Sequence, residues 1–428
     1  MQQERVLIRR FGLLTALGFL PLGLLVPTYV LLLTARGFGP TAIGALIAAT
    51  AVVTLLLELP TGGLADVVGR RVVLIASSLV MAAGFVLFAI GSTHWAIVVG
   101  LVLYASGRAL SSGPLTSWFV DEVHAVFSPE RHDDVLTRGL AHSSTATGIA
   151  VAAGSISGGW LASLGVHFGL ASDGDGLLIG LSVPALLAAV LFVVHAALLL
   201  VLMDELPRPR TSVRDLVASV PGTVKEGVLL VVQRPVLRWF SLRWTVVPVG
   251  FLAFELISPV RLGELLDRPG QAAGVFGVVV AVAYIGQSVS ALAAPRLVHR
   301  VGRLRASAVL TVLTGLAFAL AGHGGTVWLV VAVLLAMTIS GPVNALNGPI
   351  VHAAVSASHR ATLLSVESLA TQIAVAGGAV LLGAIVHSAG TVAAFTVAGL
   401  FTVAGAIPLL GVWRNLPADD AKVRPPFT

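Results

Sequence analysis

The sequence predicts an all-α integral membrane protein, with twelve transmembrane helices arranged as two pseudo-symmetric six-helix bundles. Three observations lead there. The 428 residues are 57% hydrophobic and 11% charged, with a mean hydropathy of +0.97; soluble domains carry about 25% charged residues. The apolar residues fall in long unbroken runs, most of them near the ~20 residues that cross a bilayer as a helix. Lys and Arg gather on alternate links between those runs. In lipid only helices and closed barrels satisfy their own backbone polar groups. A barrel would show ~10-residue alternating segments, which are absent.

In order, the predicted spans are 11–34, 40–60, 72–91, 94–121, 138–164, 176–202, 236–262, 270–293, 305–322, 325–352, 359–387 and 389–413. The first follows Arg5, Arg9 and Arg10 in the manner of a signal peptide. Its apolar run continues to about Thr34, too long for a ~7–15-residue signal core, so it reads as an uncleaved first helix. Links at 92–93, 323–324 and 388 are so short that the helices they join must be antiparallel neighbours. Residues 203–235 form the longest link, rich in charge and proline (Asp204, Glu205, Pro207, Arg208). It separates an N-terminal six-helix bundle, 1–202, from a C-terminal bundle and short tail, 236–428. Within it, Val213–Val232 shows apolar residues at helical spacing. That pattern suits a helix lying on the membrane face or an ordinary linker helix.

Orientation follows from the basic residues. With the N-terminus inside, 21 of the 26 Lys and Arg lie on inner segments, which predicts both termini in the cytoplasm. The same asymmetry accounts for the net charge of +6 without nucleic acid as a partner. There is no cysteine, hence no disulfide or thiolate chemistry. No Walker loop is present, so ATP is not the energy source. The histidines are scattered singly, and no metal or cofactor is expected. An enzyme would need acids or histidines clustered at one membrane surface. Beyond Asp121-Glu122 and His132-Asp133-Asp134 there is no such cluster.

The link between spans 2 and 3 carries the most information. It reads Gly62-Gly63-Leu64-Ala65-Asp66-Val67-Val68-Gly69-Arg70-Arg71. Its glycines let the backbone turn tightly, and Arg70 and Arg71 place it inside. Leu297-Val298-His299-Arg300-Val301-Gly302-Arg303, between spans 8 and 9, repeats the spacing from Leu64 to Arg70 with His299 in place of the acid. Two related halves around a mid-membrane site are a common transporter plan.

From Gly62 to Arg71 the chain resembles the cytoplasmic hairpin of the major facilitator superfamily, Gly-x-Leu-Ala-Asp-x-x-Gly-Arg-Arg. The resemblance implies a major facilitator fold and a conformational latch. In it Arg70 pairs with the acid ending span 4, Asp121, while Asp66 meets the start of span 11 at Arg360. The residues involved are Gly62, Asp66, Gly69, Arg70, Arg71, Asp121 and Arg360. Span 5 contains Gly154-Ser155-Ile156-Ser157-Gly158-Gly159. It looks like the family's antiporter motif, with Ser155 where proline is expected. The glycines also suit close helix contact by themselves.

Charged residues inside spans are costly and mark function or a buried partner. Arg108 lies near the middle of span 4. It is either held by carbonyls and serines of neighbouring helices or steers substrate or proton, and it resembles the span-4 arginine of proton-coupled drug exporters. Arg243 also lies within a span. Glu255 in span 7 and Glu367 in span 11 are the candidate proton carriers, together with Arg108. Candidates for a substrate cavity are Tyr29, Tyr104, Trp118, Phe251, Phe254, Tyr284, Gln287, Asn344 and Asn347. The amides serve equally well as interhelical hydrogen bonds worth ~0.6 kcal/mol on average.

These residues predict a monomeric secondary transporter in the bacterial plasma (inner) membrane. Its expected work is proton-coupled efflux of hydrophobic or amphipathic small molecules, as in multidrug antiporters. The alternative is import or export of a small polar metabolite such as a sugar or organic acid. A purely polar substrate needs several convergent charged or amide groups, and the central spans supply few.

Overall fold

The computed structural model describes residues 2–167, 170, 177–205, 222, 225–355 and 360–415, with side chains left out at 59–62, 66, 166, 167, 360 and 361. No β-strand occurs among the described residues. The helices are α1 (Gln2–Leu25), α2 (Tyr29–Ala35), α3 (Pro40–Val68), α4 (Arg70–Ile90), α5 (His94–Ser111), α6 (Pro114–Val126), α7 (Pro129–His167) and α8 (Val183–Leu202). There follow α9 (Pro235–Leu252), α10 (Ser258–Leu266), α11 (Pro269–Ala291), α12 (Ala294–Val301), α13 (Arg303–Ala321), α14 (Thr326–Ala353), α15 (Arg360–Ala404) and α16 (Ile407–Asn415).

Among the described residues, eleven helical stretches are long and apolar enough to cross a membrane. The last, Thr362–Asn415, is 54 residues long, and within it Gly390 adopts φ +82° and breaks the helix in two. Twelve spans result. The break falls two residues past the link expected at 388, on the residue able to take a positive φ without strain.

Helices run beyond their apolar segments. α7 begins at Pro129, well before the apolar run at 138, because backbone hydrogen bonding does not stop where polar side chains begin. Several spans are also interrupted. Span 1 is broken between α1 and α2, and span 4 turns at Gly113, φ +97°, before Pro114 opens α6. Span 7 contains a π-turn at Ala253–Ile257, where the Ser258 hydroxyl donates to the Ala253 carbonyl at 2.8 Å. Such insertions are frequent at functional sites. Most of the segment with helical spacing in the long link lies outside the described residues; 225–233 is helical.

The two copies of the hairpin sequence fold alike. Gly69 separates α3 from α4 with φ +112°, and Gly302 separates α12 from α13 with φ +82°. A side chain at either position would strain the backbone.

Contacts divide the chain into two units: 1–37, 53–220 and 268–281 form the first, and 38–52, 221–267 and 282–428 the second. In the first unit α1 packs on α7 and α4 on both α5 and α8. Glycine makes this closeness possible. A Cβ on Gly84 would lie 2.7 Å from the Gly100 carbonyl oxygen, and the reverse distance is also 2.7 Å. One on Gly154 would lie 2.6 Å from the Leu20 carbonyl. Ser155, buried beside it, donates to the Val151 carbonyl at 2.7 Å and to that of Gly23 at 3.3 Å. Phe11 and Phe119 stack at 4.3 Å within the core of this unit. In the second unit α9 packs on α15, and α13 on α14 and α15, with Gly315 fitted against Gly399. Its core gathers Leu237, Phe240, Ile350, Leu363 and Val412.

Candidate functional site

Polar groups gather at several places among the described residues, and two of these hold sequence candidates. The first is in the first unit, around the start of α4. Arg70 Nη1 stands 2.5 Å from Asp121 Oδ2, and the arginine is 11% exposed. Arg71 donates to the Met203 carbonyl at 3.4 Å, and Trp118 Nε1 to the Asp204 carbonyl at 2.7 Å. Arg10 pairs with Asp204 at 3.3 Å. A Cβ on Gly69 would meet the Glu205 carboxylate at 2.8 Å. Residues 203–205 are thus tied to α1, to α6 and to the start of α4. Nearby, Glu4 is 6% exposed and pairs with Arg131 at 2.5 Å and Arg138 at 3.3 Å. This cluster was not expected from the sequence, because Glu4 lies outside the apolar runs. At Gly62, Asp66 and Arg360 only the backbone is described, so the expected meeting of Asp66 with Arg360 lies outside the described residues.

The second place is a cavity of about 610 Å³ within the second unit. α9 and the π-turn contribute Phe240, Arg243, Trp244, Phe251 and Glu255; α11 contributes Gln287. α13 adds Thr311 and Thr314, α14 adds Ser340, Asn344, Asn347 and His352, and α15 adds Glu367, Thr371 and Thr402. Aromatic rings therefore come mainly from one helix and polar groups from the others. The polar groups are held in place: Gln287 Nε2 donates to Ser340 Oγ at 3.1 Å, and the Ser307 hydroxyl to Asn347 Oδ1 at 2.9 Å. Asn347 is buried by that bond, while Asn344, one turn earlier, is exposed. His352 and Glu367 line the same cavity.

Of the sequence candidates, Phe251, Glu255, Gln287, Asn344, Asn347 and Glu367 share this cavity. Phe254 is buried edge-on to Tyr284 at 6.3 Å, and neither lines it. Tyr29, Tyr104, Arg108 and Trp118 belong to the first unit. There Tyr29 stacks on Phe88 at 5.4 Å and Tyr104 on Phe85 at 5.2 Å. Arg108 is exposed on α5. The expectation that few polar groups converge is not met: seven charged or amide side chains line the cavity, Arg243, Glu255, Gln287, Asn344, Asn347, His352 and Glu367. The sequence scatters them along the chain; only the packing of α9 and its π-turn with α11, α14 and α15 brings them together.

Arg243 is a charged lining residue that sequence reasoning left without a role. It is 5% exposed. Its Nη2 donates to Thr311 Oγ1 at 2.9 Å and its Nη1 to the Gly405 carbonyl. The available signal was its charge within an apolar span, the same signal that singled out Arg108.

The family model described as Major Facilitator Superfamily matches residues 11–270 and 252–428. No curated protein sequence matches the chain. Among solved structures, the nucleoside transporter NupG is similar with a TM-score of 0.74 at 16% identity, over 95% of this chain and 99% of that one. A bacterial homologue of the human lysosomal transporter Spinster, captured inward-facing and occupied, gives 0.73 at 14% identity over 98% of both chains. The POT family transporter PepTSo gives 0.72 at 12% identity, over 95% of this chain and 97% of that one. At these identities the likeness is one of fold.

Proposed function

The chain belongs to the Major Facilitator Superfamily, and from that premise we propose that it is a proton-coupled exporter of amphipathic small molecules. It is a multi-pass membrane transporter with the major facilitator fold, and secondary transport is the activity of that class. The observation that carries the finer reading is the cavity of the second unit, with aromatic rings on α9 facing fixed polar groups on α13, α14 and α15. Its volume, about 610 Å³, falls in the ~300–1,000 Å³ range of drug-sized ligand sites. An amphipathic molecule suits such a lining better than a wholly apolar one, which would leave the amides unpaired.

In this reading residues 1–202 and 236–428 act as two halves that alternate access, joined by 203–235. Glu367 carries the proton, because it is a carboxyl inside a span that lines the same cavity as the substrate; Glu255 and Arg108 are secondary candidates. Asp66, Arg70, Asp121 and Arg360 latch one of the two states. Support for the latch comes from the Arg70–Asp121 ion pair. The excess of Lys and Arg on alternate links supports cytoplasmic termini, and the proposed place of action is the bacterial inner membrane, as a monomer.

A second reading, transport of a small polar metabolite, is favoured by the seven charged or amide groups converging on the cavity. Flux into proteoliposomes under an imposed pH gradient separates the two. Export predicts uptake of an amphipathic dye driven by a gradient of the appropriate sign. Flux of sugars or organic acids, with none for the dye, would establish the second. A growth-inhibition panel of varied toxic compounds, with and without expression, then narrows the substrate.

A further inference from the structure

Arg243 poses a problem of charge. It lies ~12 Å along α9 from Pro235, inside a predicted span, and is almost wholly buried. Both of its hydrogen-bond acceptors, the Gly405 carbonyl and the Thr311 hydroxyl, are neutral. No carboxylate among the described residues stands within ion-pair distance of it. Neutral acceptors satisfy two of the five guanidinium N–H groups and leave the charge itself uncompensated. A buried cation in that condition is expensive to keep.

The acids of the cavity do not resolve it. Glu255 is ~18 Å further along the same helix. Glu367, on α15, makes no ion pair with Arg243. Phe240, Trp244 and Phe251 lie on the same helix as Arg243 and line the same space. A cation on α9, held by α13 and by the turn after α15 beside aromatic rings, is the arrangement that receives a carboxylate attached to an apolar body. Guanidinium accepts such a group through paired N–H donors.

We propose that Arg243 anchors an anion-binding subsite in this cavity, and that the transported molecule carries a carboxylate or similar acidic group on an aromatic or aliphatic body. The proposal rests on reading the cavity as the substrate site, and it narrows the substrate class to amphipathic organic anions.

The test is equilibrium binding to the purified full-length protein in detergent, followed by calorimetry, with 2-naphthoate and its neutral counterpart 2-naphthamide as probes. Wild type should bind naphthoate at least ~10-fold more tightly than naphthamide. Arg243→Gln should remove that preference by weakening naphthoate alone. Arg243→Lys should keep a preference for the acid, because the charge remains. Equal binding of both probes to wild type, or no binding of either, overturns the proposal. So does an equal loss of both in Arg243→Gln, which is what a purely structural arginine predicts, or a Lys variant that behaves like Gln. If Arg243→Gln fails a melting check for folding, the wild-type comparison and Arg243→Lys decide the matter. No flux enters the measurement. A naphthoate preference without proton-driven transport would therefore count against the coupling and leave the subsite standing, while dye export without that preference would do the reverse.

Discussion

Arg70 Nη1 and Asp121 Oδ2, 2.5 Å apart, join the start of α4 to the second half of α6 across a half-buried surface. An ion pair so placed contributes at most ~1 kcal/mol to stability, so its removal should not unfold the protein. Asp121→Asn is expected to lower the melting temperature by no more than a few degrees and to cut transport several-fold. Melting and flux measured on the same preparation check this; wild-type flux would remove the pair from the latch.

Asp66 occupies the acidic position of the same hairpin. The neutral variant Asp66→Asn keeps the shape of the side chain and loses its charge. Expression close to wild type with sharply reduced transport is the expected outcome, read as substrate flux normalised to protein in the membrane. Unchanged flux would refute a latching role for the carboxylate.

Glu367 lines the cavity on α15. Glu367→Gln should abolish the response of flux to an imposed pH gradient and leave substrate exchange at equal pH on both sides. Glu255→Gln should keep the gradient response. Reversal of these two results would move the proton to Glu255.

Gly84 and Gly100 face each other across α4 and α5, with no room for a side chain on either. Gly84→Leu forces the helices apart at a point where backbone cannot give way, and overpacking of this kind costs roughly 1–3 kcal/mol. Thermal unfolding in detergent should show a clearly lowered midpoint, whereas Gly148→Ala, where a Cβ meets nothing within 4 Å, should leave it unchanged.

Asn344 and Asn347 occupy one face of α14 in different environments. Asn347 accepts from Ser307 and is buried; Asn344 is exposed on the cavity wall. Asn347→Ala should cost stability of about 0.6 kcal/mol, the average for an interhelical hydrogen bond in a membrane. Asn344→Ala should leave melting unchanged and raise the substrate KM. A KM effect confined to Asn347 would exchange the two roles.

Much of this architecture is legible in the residues themselves. Apolar runs between charged links place the spans, and Gly69 and Gly302 mark the two equivalent turns because a positive φ favours glycine. Polar residues stranded in apolar spans, such as Gln287, Asn344 and Glu367, were visible as functional candidates because lipid penalises them wherever they sit. What sequence does not carry is the direction each one faces. Along α9 apolar residues occur on every side, so periodicity does not distinguish Arg243 at the cavity from a boundary charge near Trp239 and Trp244. Thr311, Thr314 and His352 are too ordinary in composition to stand out, and they matter only through the neighbours that packing gives them. The π-turn at Ala253–Ile257 likewise leaves no local mark, since Ala, Phe, Glu, Leu and Ile all suit an ordinary helix.

The bend at Gly390 has a bearing on biogenesis. Spans eleven and twelve follow one another through a very short turn, with exposed His387 and Ser388 just before Gly390 at φ +82°. With so short a connector, the entry of one span into lipid constrains where the other can go. Entry of the two as a hairpin is the expected consequence, with Gly390 setting the sharpness of the turn on which the orientation of the last stretch depends.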